Sequence, residues 1–257
     1  MAISFPTSLD NFTNPSSGNT LDSPSHSLQH SDINDAVEAL ERKIGVGTAV
    51  AGSASAGQVL TIGTASGSTS YSYAGLTQII PTSVTVTGAG GSATVGSNGL
   101  ITFSAVTSFQ LNGVFSSTYD HYKAIIMIDS STSTGHGNLQ FRYGTSGTAN
   151  SNSNYNNKGY YIDSTIGVLD QAGAGKISFG YLEFSPSATT GTKFSVIEIF
   201  NPFETKQTYS IAQGMGNQTR ATYDAVLFDL TTSFTDFYVF PNSNAINGTA
   251  FIYGFRK

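Results

Sequence analysis

The chain has 257 residues, a net charge of −5 and no cysteine. Its 11 basic residues form no cluster that could displace phosphate counterions, which argues against a nucleic-acid partner. The lack of cysteine excludes disulfides and thiolate metal sites, and no apolar run approaches the ~18 residues that span a membrane as a helix. An apolar content of 39%, with many Gly, Ser, Thr and Asn residues, predicts a mainly β protein with a buried core.

Residues 1–30 have the composition of an extended arm. They are rich in Pro, Ser, Asn and Asp, and they show neither a helical nor a strand period. Such an arm cannot bury its apolar side chains within itself, so it is either disordered or bound in a groove of another protein. We favour docking to another protein, through isolated apolar residues: Ile3, Phe5, Leu9, Phe12 and Leu21.

Residues 31–45, SDINDAVEALERKIG, are typical of a short helix. Ser31 or Asp32 can cap its first turn, and Gly45 can end it. The apolar residues are spaced by four, three and four positions, as in a coiled-coil seam. A helix of this length is marginal alone in water, so the stripe packs either on the protein's own β body or on further copies of the helix. We favour self-association, through Ile33, Val37, Leu40 and Ile44.

Residues 44–119 contain no Asp, Glu, Lys, Arg or His. Alternating patterns predict short strands at 57–63 and 83–88, with a further candidate strand at 100–103. The tract is either a low-complexity linker or a thin stalk built from strands. The alternation and the absence of charge favour a stalk over residues 46–105 in which identical chains intertwine.

Residues 106–257 have the composition of a folded β domain, because they hold 14 of the 17 Phe and 11 of the 13 Tyr. About ten short strands separated by Gly, Asn, Ser and Pro turns predict an antiparallel β-sandwich of jelly-roll type, with an up-and-down barrel as the alternative. The predicted strands are 108–115, 122–129, 138–143, 159–163, 177–184, 194–200, 208–212, 224–230, 236–240 and 248–255.

Two segments of this domain have the composition of recognition loops, which combine aromatic faces with adaptable amides. The first is residues 149–161, ANSNSNYNNKGYY, and the second is residues 213–222, QGMGNQTRAT. In the alternative interpretation the tyrosines of the first segment cap the core. The candidate binding residues are Asn154, Tyr155, Asn156, Asn157, Tyr160 and Tyr161 in the first segment, and Asn217 and Arg220 in the second.

No motif of the chain predicts catalysis, a metal site or a cofactor. His26 and His30 are four residues apart but lack the Glu of a zinc-protease motif. Residues 173–176, GAGK, are similar to part of a phosphate-binding loop, but Asp170 and Ile177 replace the Gly and the Ser or Thr of that motif, and a turn is predicted instead. The carboxylates are scattered, and the sequence assigns no two of them as a glycosidase pair. We therefore expect a protein that is not an enzyme.

The order of these parts resembles bacteriophage fibre and other virion surface proteins. The likeness rests on the arm followed by PSHSLQHSDINDAVEALERKIG, on GQVLTIGTASGSTSYSY, and on SFQLNGVFSSTYDHYKAIIMI, NLQFRYGTSG and GTAFIYGFRK. The second segment is similar to a linker repeat of tail fibres, and the last three to their terminal β domain.

The resemblance implies a structural protein of the virion surface, assembled in the host cytoplasm as a homotrimeric tail fibre or spike. Residues 1–30 would dock to tail or capsid proteins, and residues 31–45 would hold the copies together. Residues 106–257 would adhere to a host surface glycan. A capsid decoration or head-fibre protein is the alternative, and a polysaccharide depolymerase is a further one.

Overall fold

The structure is a computed structural model. It describes residues 17, 30, 33–35, 37–38, 40, 58–62, 69–73, 75–87, 90–131, 137–163, 167–176, 178–184, 193–217, 220–242 and 245–256. The chain divides into two compact units, Met1–Ala74 and Gly75–Lys257. Antiparallel strands dominate, and the described residues include a single short helix. The predicted mainly β class is therefore confirmed.

The first unit contains the helix and one β-hairpin within its described residues. Residues 30, 33–35, 37–38 and 40 are helical, inside or directly beside the predicted segment 31–45. Strands β1 (Gln58–Ile62) and β2 (Thr69–Tyr73) pair antiparallel. The predicted docking residues and the last residue of the helix stripe lie outside the described residues: Ile3, Phe5, Leu9, Phe12, Leu21 and Ile44.

The second unit contains two antiparallel sheets. The six-stranded sheet consists of β4 (Ser83–Thr87), β7 (Ser108–Asn112), β9 (Gly137–Thr145), β10 (Thr148–Ala149), β13 (Phe179–Phe184) and β17 (Asp236–Pro241). Its strand order is β10-β9-β17-β7-β4, and β13 also pairs with β9.

The ten-stranded sheet consists of β3 (Leu76–Ile79), β5 (Ser92–Val95), β6 (Ile101–Val106), β8 (Tyr119–Ser131), β11 (Tyr155–Asp163), β12 (Gly167–Lys176), β14 (Lys193–Phe200), β15 (Thr208–Asn217), β16 (Arg220–Phe228) and β18 (Ile246–Arg256). Its order is β12-β11-β16-β15-β14-β8-β18-β6-β5, and β3 also pairs with β18.

The core of the second unit is formed by side chains of both sheets. Phe141 and Phe237 of the six-stranded sheet stack with their ring centroids 5.6 Å apart. Ile126 and Ile197 of the ten-stranded sheet belong to the same buried cluster. Along β8 and β14 every second residue is buried, as expected for strands with one face on a core. The predicted β-sandwich is therefore confirmed.

The second unit begins well before residue 106, where the sequence placed the start of the sandwich. Strands β3, β5 and β6 belong to the ten-stranded sheet and β4 to the six-stranded sheet. Ile101 and Phe103 are buried in the core. From residue 75 onwards, the strands therefore belong to the sandwich and not to the stalk that was predicted over residues 46–105. In β4, β5 and β6 the exposed, uncharged Ser and Thr alternate with residues that face the sandwich, so they are the outward positions of sheet strands.

Each of the ten strands predicted after residue 106 overlaps a strand of the structure. Three expected loops differ, and the first is the recognition loop 149–161, whose residues 155–161 belong to β11. Residues 173–176, predicted as a turn, belong to β12, and most of the predicted recognition loop 213–222 belongs to the β15–β16 hairpin. Glycine and small polar residues dominate these last two segments, so neither shows the apolar alternation by which strands are recognised.

A buried carboxylate connects three segments near the six-stranded sheet. The side chain of Asp236 is only 2% exposed. One of its oxygens accepts hydrogen bonds from Gly113 N (3.0 Å) and Thr235 Oγ1 (2.9 Å). The other accepts from Gln110 Nε2 (3.1 Å) and Gly147 N (2.7 Å). Four donors on one buried acceptor group hold the β9–β10 turn and the end of β7 against β17.

Candidate ligand-binding face

The face of the ten-stranded sheet that points away from the core carries a continuous group of apolar and aromatic side chains. Residues of neighbouring strands lie side by side in register, as in the row Phe194, Met215, Ala221 and Ile162. Of these, Phe194, Met215 and Ile162 are 41–45% exposed. Contiguous exposed apolar surface on a sheet is a common feature of binding sites. We call this surface, on β11, β12, β14, β15 and β16, the outer face.

The outer face contains a groove of about 470 Å³ that we call the tyrosine groove. The rings of Tyr160 and Tyr223 stack across β11 and β16, with centroids 5.5 Å apart and planes 19° from parallel. Gln213 lies directly opposite Tyr223 in the register of β15 and β16. The lining residues are Tyr160, Ile162, Phe194, Gln213, Gly214, Met215, Ala221, Thr222 and Tyr223.

A second groove of about 800 Å³, which we call the alanine groove, lies on the same face. Its walls are largely apolar, and Lys158 is the only charged residue among its described lining residues. Tyr209 on this groove is 46% exposed, and its hydroxyl donates to Gln207 Oε1 at 3.1 Å. The lining residues are Asn156, Asn157, Lys158, Ala172, Gly173, Ala174, Phe200, Tyr209, Ser210, Ile211, Ala225, Val226 and Leu227.

Two of the predicted binding amides already have partners within the protein. Asn154 Nδ2 donates to one carboxylate oxygen of Asp229 at 2.9 Å, and Asn156 Nδ2 donates to the other at 3.0 Å. Asn156 Oδ1 also accepts from Gly175 N at 3.0 Å. These bonds join β11 to β12 and to the residue that follows β16, so the geometry gives both asparagines a positioning role.

Tyr155, a predicted binding residue, is a core residue, as in the alternative interpretation in which the tyrosines cap the core. It is fully buried, and its ring packs against Phe228 with centroids 4.9 Å apart. Its hydroxyl donates to Asn150 O and accepts from Tyr143 N, both at 3.1 Å. Burial raises the pKa of Tyr155. Its ring is therefore not available to a ligand.

The remaining candidates are divided between the two faces of β11. Asn157 is 5% exposed and donates to the buried carboxylate of Asp224 at 3.0 Å. Tyr161 is half-buried and alternates with Tyr160, which is 41% exposed on the outer face. Tyr160 is therefore the predicted tyrosine that the structure places in a groove.

Asn217 and Arg220, the candidates from the second segment, pair through their backbones at the end of the β15–β16 hairpin. Their side chains lie outside the described residues. Gln213 lies in the second predicted segment but was not named as a binding residue, and Tyr223, Phe194 and Tyr209 were not predicted. Phe194 and Tyr209 lie on strands that the sequence did predict, and strand alternation relative to a buried neighbour could have identified them as outward residues.

The helix stripe is exposed where it is described. Ile33, Val37 and Leu40 are 60%, 37% and 55% exposed in the single chain. Three apolar residues on one helix face that remain this exposed are typical of a surface that packs against a partner.

A histidine missed by the sequence analysis lies on β8 between two aromatic rings. The ring of His121 stacks on Phe200 and Phe255, with centroid distances of 4.3 and 4.2 Å. Its Nε2 lies 3.5 Å from the carboxylate of Glu198, which also pairs with Lys123 at 3.1 Å. Burial lowers the pKa of His121, although the carboxylate of Glu198 opposes this shift. The neutral imidazole is therefore favoured between the two rings.

Within the described residues, no three His, Asp or Glu side chains lie close enough together to hold a metal ion. No helix in this part of the chain is long and apolar enough to cross a membrane.

Comparison with known proteins assigns the chain to no family. No protein-family model matches it, and no curated protein has a similar sequence. Among solved structures, a Lotus tetragonolobus seed lectin isoform aligns with 68% of this chain and 95% of its own, at 9% identity and a TM-score of 0.27. A TM-score this low supports no argument about a ligand. The two sheets of the second unit define a β-sandwich protein, and its structural likeness to a lectin is weak.

Proposed function

We propose that this protein is a non-enzymatic adhesion protein of a bacteriophage virion surface, acting as a homotrimeric tail fibre or spike. In this proposal residues 1–30 attach the protein to the particle, and the β-sandwich binds a host surface glycan through its outer face. The observation that carries the proposal is the outer face itself, where aromatic, aliphatic and amide side chains are exposed together beside two grooves.

Two further features support this proposal. The exposed stripe of Ile33, Val37 and Leu40 fits association of identical helices around an axis. The order of arm, helix and β domain resembles virion surface proteins along most of the chain. A sandwich also suits adhesion, because its paired strands hold surface side chains in fixed positions.

Competition for adsorption tests the adhesion role. The full-length protein, added in excess to host cells, is expected to lower the adsorption rate of a phage that carries it, whereas heat-unfolded protein is not. Unchanged adsorption at saturating protein would contradict adhesion. Immunogold labelling of particles provides the location, since labelled tails fit the proposal and labelled heads favour a capsid decoration or head fibre. Release of reducing ends from host polysaccharide would instead indicate a depolymerase.

A further inference from the structure

We infer that the tyrosine groove binds an uncharged sugar ring, so that the ligand is a neutral polysaccharide rather than an acidic one. This inference rests on the proposed adhesion function and names the ligand class of one of its two grooves. The tyrosine groove is the smaller of the two grooves. Unlike those of the alanine groove, its described polar side chains are uncharged and make no hydrogen bond within the protein.

The first argument is charge. None of the nine described residues that line the tyrosine groove carries a charge at neutral pH. A sialic acid, a uronic acid or a phosphorylated sugar would lose hydration on entering this groove without gaining a cationic partner. The alanine groove differs, because Lys158 provides a cation there. The lining of the tyrosine groove therefore favours a neutral ligand.

The second argument is the aromatic surface. Tyr160 stacks on Tyr223 with one side of its ring and is still 41% exposed. Its remaining surface is open beside the exposed side chain of Ile162 on the same strand. A pyranose ring has an apolar face of C–H groups, which packs on an aromatic ring, and its hydroxyl groups radiate from its edge. An aromatic ring held by a neighbouring ring offers this contact with little loss of side-chain entropy.

The third argument is the set of available hydrogen-bonding groups. In the part of the chain that the structure describes, the hydroxyls of Tyr160 and Tyr223 and the amide of Gln213 make no hydrogen bond within the protein. Each can bind a sugar hydroxyl without breaking an existing bond. On the alanine groove, by contrast, Tyr209 donates to Gln207, and Asn156 is bonded through both ends of its amide. The tyrosine groove thus combines an apolar platform with uncommitted polar groups.

Binding of the full-length protein to immobilised glycans tests this inference. The probes are neutral hexose polysaccharides, such as glucans, galactans and mannans, and matched polymers that contain uronic or sialic acid. Wild-type protein is expected to bind at least one neutral polymer and none of the acidic ones. Tyr160→Ala is expected to weaken this binding at least tenfold. Tyr160→Phe keeps the aromatic ring and loses one hydroxyl, so its affinity is expected to lie between those of wild type and Tyr160→Ala.

Tyr238→Ala is the matched control, because Tyr238 lies on β17 of the six-stranded sheet, lines neither groove, and also contacts a neighbouring aromatic ring, that of Phe240, with centroids 5.3 Å apart. It is expected to leave binding within twofold of wild type. Thermal unfolding of each variant confirms that the sandwich is intact, and Tyr160→Phe provides a second variant if Tyr160→Ala does not fold.

Several outcomes overturn the inference. They are binding to acidic polymers alone, equal losses in Tyr160→Ala and Tyr238→Ala, and no binding of wild-type protein to any neutral polymer. None of these results decides the proposed function, which is judged by adsorption competition on whole cells. Failure of that competition would remove the adhesion role, even if a neutral polymer bound in the tyrosine groove.

Discussion

The replacement Asp236→Asn tests whether one buried carboxylate stabilises the second unit. Each oxygen of Asp236 accepts from a backbone N–H, Gly113 on one side and Gly147 on the other, together with one side-chain donor. The side-chain amide of Asn carries an NH₂ group in place of one of these oxygens. In either of its two orientations the NH₂ group, itself a donor, therefore faces the backbone N–H of Gly113 or of Gly147. Two hydrogen bonds to a charged group are lost, at about 1.5–3 kcal/mol each. We therefore expect the free energy of unfolding to fall by about 3–6 kcal/mol.

The matched control is Asp229→Asn, because Asp229 is an exposed carboxylate that also accepts from two side-chain amides. Solvent can replace its lost bonds, so we expect a cost below about 1 kcal/mol. Urea unfolding followed by tyrosine fluorescence is a suitable assay, since the chain has 13 Tyr and no Trp. Thermal unfolding should show a fall of roughly 10 °C for Asp236→Asn. Equal losses in the two variants would refute the argument that burial of the acceptor determines the cost.

Three further predictions concern other parts of the chain. The pKa of His121 is lowered in the folded state, so the unfolded chain takes up the proton first as the pH decreases. The free energy of unfolding should therefore fall below about pH 6.5. His121→Phe should weaken this dependence in unfolding measured from pH 7 to 5. Gly248→Ala should cost about 1–3 kcal/mol, since its Cβ would overlap the carbonyl oxygen of Met127, and a stability equal to wild type would contradict the backbone packing at this point. If the chain self-associates through the helix stripe as proposed, Leu40→Asp should reduce the oligomer to the 26.9 kDa single chain in mass photometry, whereas Glu38→Gln should not. A wild-type monomer would contradict self-association through the stripe.

The sequence predicted the strands of the sandwich better than the position where the sandwich begins. Aromatic residues and regular alternation marked the strands after residue 106, because those strands supply most of the core. The alternation of Val84 and Val86 in β4 fits a stalk and a sheet strand equally well. The difference lies in the partners, since β4 pairs with β7, and β6 pairs with β18 at the far end of the chain. No local pattern contains that information.

The Asn- and Tyr-rich segment shows why composition identified the right strand but only part of the site. Recognition loops and outward strand residues share the same residue types, so composition left both the loop interpretation and the alternative, in which the tyrosines cap the core, open. In a strand, positions five apart point to opposite faces, so the register that buries Tyr155 also exposes Tyr160. A slip by one residue would exchange the two rings. The bonds of Asn154 and Asn156 to Asp229 oppose such a slip, and they thereby fix which tyrosine a ligand can meet.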